Sequence, residues 1–292
     1  MGGAMRNVTG PFLILIAALS WSTAGLFTRV VTTDIPTTLL WRSIIGGICV
    51  LLIYYVMDKK KSFRDLFAFS FGEFCIAGLS AAGMICFISS FFFTTIANVS
   101  FVYGTMPLVT YFLSLIFLRE KISIFSVSCC VMSTLGMIIM TFGNAALNDY
   151  LGIALALGMT FFMAALTIAT KFFPDANTTK ATYLSAFLGA LAVSPFATHT
   201  LLLTSDYIWS GLYGFVNVGL GFGIYLMGVT RVSALAAALI GLIEIPLAPI
   251  WAWMLFAEQT SGLVLVGGSL ITGTAIVYII GTHKGGKNET IS

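Results

Sequence analysis

The sequence predicts an all-α integral membrane protein, with ten transmembrane helices arranged as two inverted five-helix repeats. Three observations carry this expectation. The 292 residues are 59% hydrophobic and only 9% charged, with a mean hydropathy of +1.02, whereas a soluble domain carries about 25% charged residues. The apolar runs are about 20 residues long, the length of a membrane-spanning helix rather than of the alternating strands of a barrel. The two halves of the chain also resemble one another, and each holds an odd number of runs. In hydrocarbon such segments must satisfy their backbone groups internally, which here means helices.

The spans follow from charges, prolines and polar clusters. The first, 11–31, comes after Arg6 and is too long for the apolar core of a cleaved signal. The second, 37–56, ends before Lys59, Lys60, Lys61 and Arg64. The third covers 71–92, and the fourth, 96–118, closes at Arg119 and Lys121. The fifth is 123–142. The sixth, 151–172, and the seventh, 180–200, are separated by Lys171 and Lys180. The eighth, 208–228, stops before Arg231, the ninth is 233–256, and Lys284 and Lys287 follow the tenth, 262–281. With a cytoplasmic N-terminus, these twelve of the fourteen basic residues lie on the cytoplasmic side, and the outer connections hold none. Arg29 and Arg42 remain, near the outer ends of their spans. The pattern obeys the positive-inside rule, and one missed helix would invert every later loop. It predicts a multi-pass protein of the plasma (inner) membrane with both termini in the cytoplasm. The connections leave no room for an extramembrane domain.

The repeat is visible residue by residue. Gly10-Pro11 through Leu26-Phe27-Thr28-Arg29-Val30-Val31 lines up with Gly152-Ile153 through Ile168-Ala169-Thr170-Lys171-Phe172-Phe173. Pro107 through Leu118-Arg119-Glu120 lines up with Ile245-Pro246 through Phe256-Ala257-Glu258. This divides the chain into residues 1–146 and 147–292, five spans each, so the second half enters the membrane from the opposite side. Glu120 then falls in a cytoplasmic loop and Glu258 in an outer one. Inverted repeats of this kind typify secondary transporters, with the substrate held near the midplane where the repeats meet.

Several segments carry a family resemblance. They are Leu19-Ser20-Trp21-Ser22, Leu40-Trp41-Arg42-Ser43, Met106-Pro107-Leu108 running to Phe117-Leu118-Arg119-Glu120-Lys121, Ser233-Ala234-Leu235, and Ile243-Glu244-Ile245-Pro246-Leu247-Ala248-Pro249 ending at Glu258. In order, spacing and duplication the chain resembles the drug/metabolite transporter (DMT) superfamily in its ten-helix EamA form, over nearly its whole length. One departure is that Ile245 stands between Glu244 and Pro246, where the family pattern usually has Pro directly after the Glu. The resemblance implies a transporter whose fifth and tenth helices stand aside as supports.

Glu244 is the sharpest functional candidate, read as lying near the middle of the ninth span. A carboxylate at the bilayer centre costs about 2.5–3.5 kcal/mol on insertion scales, so it must face the protein interior. Its candidate roles are a ligand for a substrate ammonium, a carrier of a coupling proton, or a packing group bonded to a carbonyl freed near Pro246 and Pro249. Arg42, about five residues into the second span, either snorkels to the outer headgroups, meets a substrate carboxylate, or pairs with Glu244. Trp21, Trp41, Tyr103, Phe222 and Tyr225 form an aromatic group that either lines a cavity or belongs to interfacial belts like Tyr207 and Trp209. Asn217 is an amide at membrane depth that needs partners. Pro107, Pro246 and Pro249 are expected to break the fourth and ninth helices. Gly78, Gly83, Gly219, Gly221 and Gly223 allow close packing in the third and eighth.

Other residues are less informative. Cys49, Cys75, Cys86, Cys129 and Cys130 sit in apolar runs without metal-ligand spacing and read as packing groups. His199 and His283 are not placed as ligands, so no metal or cofactor is expected. The net charge of +3 gives no reason to expect nucleic acid. There is no GxxxxGK[ST] motif, so energy would come from a proton gradient or from exchange. Together these readings describe an exporter or exchanger of amino acids or related amphipathic zwitterions, with lipid and protons as its other partners, working as a monomer or weak dimer. Uptake, or a nucleotide-related cargo such as S-adenosylmethionine, is the alternative. A lipid-modifying membrane enzyme would need a nucleophile–base pair or metal cluster that is not seen.

Overall fold

The computed structural model describes residues 2–57, 63–94, 96–119, 123–141, 150–198, 204–256 and 262–288. Glu120, Lys121, His199 and Glu258, singled out above, lie outside the described residues. Among those described, all regular structure is helical and there is no strand. The first half contains α1 (Gly2–Ser22), α2 (Ala24–Val30), α3 (Ile35–Met57), α4 (Phe63–Phe67), α5 (Phe71–Phe93), α6 (Ile96–Tyr103), α7 (Met106–Leu113) and α8 (Ile124–Thr141). The second contains α9 (Tyr150–Phe172), α10 (Thr178–Val193), α11 (Thr204–Tyr213), α12 (Ile224–Val229), α13 (Ala234–Gly241), α14 (Glu244–Phe256) and α15 (Gly262–Asn288). A π-helical stretch, Ser114–Leu118, continues α7, and a longer one, Gly214–Gly223, joins α11 to α12.

Five of these segments are long and apolar enough to cross a bilayer: Ile35–Val56, Tyr150–Phe172, Thr204–Val229, Ala234–Leu255 and Gly262–Thr282. Shorter apolar helices are Gly10–Ser22, Phe71–Phe87, Met106–Leu118 and Ile124–Met140. Large apolar side chains such as Phe112, Ile124, Val266 and Val277 are exposed on the outside of the bundle. In water such a surface would be a liability, whereas against lipid tails it costs nothing.

The helices pack in matched pairs across the two halves. α1 lies on α12, α13, α14 and the Gly214–Gly223 stretch, while α9 lies on α5, α6 and α7. α3 packs on α10 and on the Gly214–Gly223 stretch, while α10 packs on α3 and on α5. α8 packs on α15, where Gly136 and Gly267 let the backbones touch: a Cβ on Gly267 would come within 2.3 Å of the Gly136 carbonyl oxygen. The buried centre is aliphatic and aromatic, with Ile14, Leu166, Tyr225, Leu226, Leu235 and Leu239 nearly inaccessible.

Four of the spans read from sequence are irregular. The first breaks at Thr23, where the hydroxyls of Ser20, Ser22 and Thr23 donate to the carbonyls of Ile16, Leu19 and Ser20 at 2.9, 2.7 and 2.6 Å. Such back-bonding competes with the helical ladder and bends it. The fourth breaks at Gly104–Thr105 and the ninth at Leu242–Ile243. Both breaks lie upstream of the prolines expected to cause them. Proline lacks an N–H and is tolerated in a first turn, so each helix stops early and restarts with Pro107 or Pro246 inside its first turn. α14 then continues through Pro249. Glu244, expected in mid-helix, is therefore the first residue of a new helix, where a carboxylate complements the helix dipole. The eighth span carries the wide π-helical turns of Gly214–Gly223.

Candidate functional site

The irregular stretches meet. Tyr103 ends α6 and Glu244 begins α14, and the Tyr103 hydroxyl is in hydrogen-bonding reach of the Glu244 carboxylate. Tyr225, in α12, is close enough to interact electrostatically with the same carboxylate, and its hydroxyl shares a 2.9 Å hydrogen bond with Thr167 of α9. The Trp21 ring lies 4.9 Å from both Phe222 and Tyr225, edge-on to the first and tilted to the second. Its indole N–H donates to the Asn217 carbonyl at 3.1 Å, and the Asn217 amide donates to the Ser20 carbonyl at 3.1 Å. Six of the eight candidates, Trp21, Tyr103, Asn217, Phe222, Tyr225 and Glu244, thus form one group around the breaks of the first, fourth and ninth spans and the π-helix of the eighth.

Local sequence explains how this group fits together. A Cβ on Gly221 would sit 2.2 Å from the Trp21 Nε1, so only glycine lets the indole lie against this turn. One helical turn either side of Asn217 stand Tyr213 and Gly221, and Tyr225 follows, so one face of the eighth span bears all four. Trp251 of α14 adds a further link, donating from its indole to the Ser22 hydroxyl at 2.8 Å. Irregular backbone at membrane depth is tolerated only where it is enclosed by protein or lines a cavity, and these breaks are enclosed by one another.

The other two candidates lie apart. Arg42 is buried, 5% exposed, which removes the snorkelling reading. Its guanidinium lies 4.6 Å above the Tyr213 ring and donates from Nη1 to the Met84 sulfur at 3.6 Å, while Nε has no partner among the described residues. Its contacts do not include Glu244. The neighbouring Ser43 hydroxyl is likewise buried without a partner among the described residues, as is that of Thr110 in α7. Trp41 stacks edge-on against Tyr207 at 4.8 Å, at the end of the bundle where α3 begins. Sequence reasoning passed over Thr167, Tyr213, Met84 and Trp251. Tyr213 had a signal, since it stands four residues before Asn217 on the same face. The other three depend on how helices rotate against one another.

Among the described residues no group of His, Cys, Asp and Glu is placed to hold a metal ion. The arrangement offers one carboxylate among aromatic rings, one buried guanidinium beside another ring, and several hydroxyls, which suits binding of a small charged, partly apolar molecule.

No match is found among curated proteins. A protein of known crystal structure is similar in fold, with a TM-score of 0.77 and 18% sequence identity over 95% of this chain and 98% of that one. Such low identity speaks for the fold alone. The model of the EamA-like transporter family matches residues 8–142 and again residues 150–280. The chain therefore belongs to the EamA-like transporter family, multi-pass membrane transporters of the DMT superfamily.

Proposed function

We propose that this protein is a ten-helix secondary transporter that exports or exchanges an amino acid or related amphipathic zwitterion by alternating access. On this reading residues 1–146 and 147–292 are inverted repeats, both termini are cytoplasmic, and the membrane is the inner membrane. The matched packing supports the repeat, since each contact that α1 makes with the second half has a counterpart made by α9 with the first. Interrupted helices at the meeting point of repeats are where transporters of this build hold substrate.

The observation that carries the site is the meeting of Tyr103 and Glu244 at two helix breaks, with Tyr225 nearby and Trp21 packed on Tyr225. A substrate ammonium bound there gains the carboxylate and the ring faces together. Arg42 serves the substrate carboxylate at a second station. Tyr213, beside Arg42, and Tyr225, beside Glu244, are separated along the eighth span by about 15–18 Å. One α-amino acid is too short to touch both, so it meets them in turn. A longer cargo bearing both charges would meet them at once, which favours a nucleotide-related metabolite such as S-adenosylmethionine as the second reading.

The test is flux into proteoliposomes of the purified full-length protein, with a panel of labelled amino acids, their decarboxylated amines and S-adenosylmethionine. Counterflow of at least one panel member is expected, with a loss of about tenfold or more in Glu244→Gln at unchanged folding, the effect of removing one charged contact. Wild-type flux in Glu244→Gln under both counterflow and an imposed proton gradient would end the assignment of this site.

A further inference from the structure

Two buried carboxylates outside this site, Asp206 and Glu73, occupy the same place in the two halves. Each is the third residue of its helix, Asp206 in α11 and Glu73 in α5, and they are 2% and 5% exposed. Each reaches across to the loop that precedes a helix of the other half. Asp206 accepts from the Thr32 backbone N–H at 3.1 Å and from the Thr32 hydroxyl at 3.0 and 3.2 Å, just before α3. Glu73 accepts from the Asn177 backbone N–H at 3.1 Å, just before α10, with the Lys180 ammonium 3.9 Å away.

The residues around them match as well. Asp34 accepts from the Thr37 N–H at 3.2 Å in the first turn of α3, and from the Thr198 hydroxyl at 2.5 Å, beyond the end of α10. Asn177 accepts from the Thr179 and Lys180 N–H groups at 3.1 Å in the first turn of α10, and donates at 3.3 Å to the Tyr54 hydroxyl near the end of α3. Tyr183 adds a hydrogen bond to the Leu66 carbonyl at 2.5 Å on the same side as Glu73. α3 has 23 residues, about 35 Å of helix, so the Asp206 and Glu73 groups lie at opposite ends of the bundle.

We propose that Asp206 and Glu73 head two latches of one duplicated design, one at each end of the bundle, which open in alternation to expose the site to one side of the membrane and then the other. This rests on the transport reading above. Both latches are closed here, and each ties one half of the protein to the other. Opening an end must therefore break the hydrogen bonds that its carboxylate makes to the other half, and the free energy of each latch sets the preference between inward- and outward-open forms. A carboxylate is suited to this because its two oxygens only accept. An amide turns one position into a donor that opposes the N–H and O–H groups facing it.

The test uses the full-length protein in lipid nanodiscs, with its five cysteines replaced by serine or alanine. Spin labels at Ile35 and Ser205 report the Asp206 end, and labels at Phe67 and Asp175 the Glu73 end, read as distance distributions by pulsed electron resonance. Asp206→Asn is expected to raise the ratio of long to short distances at its own end by about tenfold, the weight of one charge-assisted hydrogen bond, and to leave the other end unchanged. Glu73→Gln is expected to do the reverse. Should Asp206→Asn fail to fold, Thr32→Val carries that arm, since it removes one hydroxyl and no charge. If either variant changes both ends alike, or neither end moves, the latches are not what hold the ends. These distances need no substrate, so failure to find a transported molecule leaves the outcome readable, and flux with unmoved distances overturns the latches alone.

Discussion

Trp21 and Asn217 are joined by crossed hydrogen bonds: the indole of the first donates to the backbone carbonyl of the second, whose amide donates back to the Ser20 carbonyl, both at 3.1 Å. The pair ties the broken first span to the π-helix of the eighth. A π-helix widens the backbone and is frequently found at functional sites. Here its glycines let an aromatic ring lie directly against it. The candidate group is thus held by the same contacts that keep the irregular backbone satisfied.

Gly221→Ala follows from that contact. The new methyl would stand 2.2 Å from the Trp21 Nε1, so the indole must leave its place between Asn217 and Tyr225. Overpacking of this kind costs about 1–3 kcal/mol, whereas Trp21→Phe forfeits an interhelical hydrogen bond worth about 0.6 kcal/mol on average in membranes. Thermal unfolding in detergent should rank Gly221→Ala below Trp21→Phe, and the tryptophan emission of Gly221→Ala should shift. Equal stabilities with unchanged emission would mean that Trp21 is not confined by the turn.

Arg42 separates binding from stability. A buried charge replaced by an apolar side chain of similar length is often neutral or stabilising. Arg42→Met should therefore unfold at the wild-type temperature or higher, while transport of carboxylate-bearing substrates falls about tenfold or more and transport of the corresponding amines is spared. A sharply lowered unfolding temperature with flux of both classes retained would make Arg42 a packing residue.

Asp34, in the connection before α3, lies outside the membrane-spanning segments and has a pKa below the ordinary 3.8. Burial opposes its ionisation, but the hydrogen bonds from Thr198 and Thr37 outweigh that effect. Since the folded state prefers the ionised form, its contribution is fully present above about pH 4 and is lost as pH falls through the lowered folded value. The difference in unfolding temperature between wild type and Asp34→Asn should be constant from about pH 7 to 5 and shrink below about pH 4. A difference that persists undiminished at the lowest pH would show that the charge is not what binds Thr198.

The family could be read from the chain, and so could most of the candidate residues that the structure brings together. Glu244 was legible because a carboxylate within an apolar span is costly anywhere but the interior, and Tyr103 and Asn217 because their polar groups need partners in hydrocarbon. The helix breaks were legible in kind, from Pro107 and Pro246, but sat upstream of them, because a proline is accommodated by restarting the helix just before it. The break at Thr23 was missed, since serine and threonine bend helices only when their hydroxyls turn back onto the backbone.

Composition by itself determined that this chain is helical and membrane-embedded, because apolar segments of this length have few other ways to satisfy their backbone. Only the tertiary structure decided that Tyr103, Glu244, Trp21 and Tyr225 cluster together, that Arg42 stands with Tyr213 and Met84, and that Trp41 pairs with Tyr207. These spans are apolar on nearly every side, so the sequence carries little periodic signal for which face turns inward. That rotation is set by close contacts such as Gly221 on Trp21 and Gly214 on the Arg42 carbonyl, where a Cβ would come within 2.4 Å, and such contacts exist only once the helices have packed.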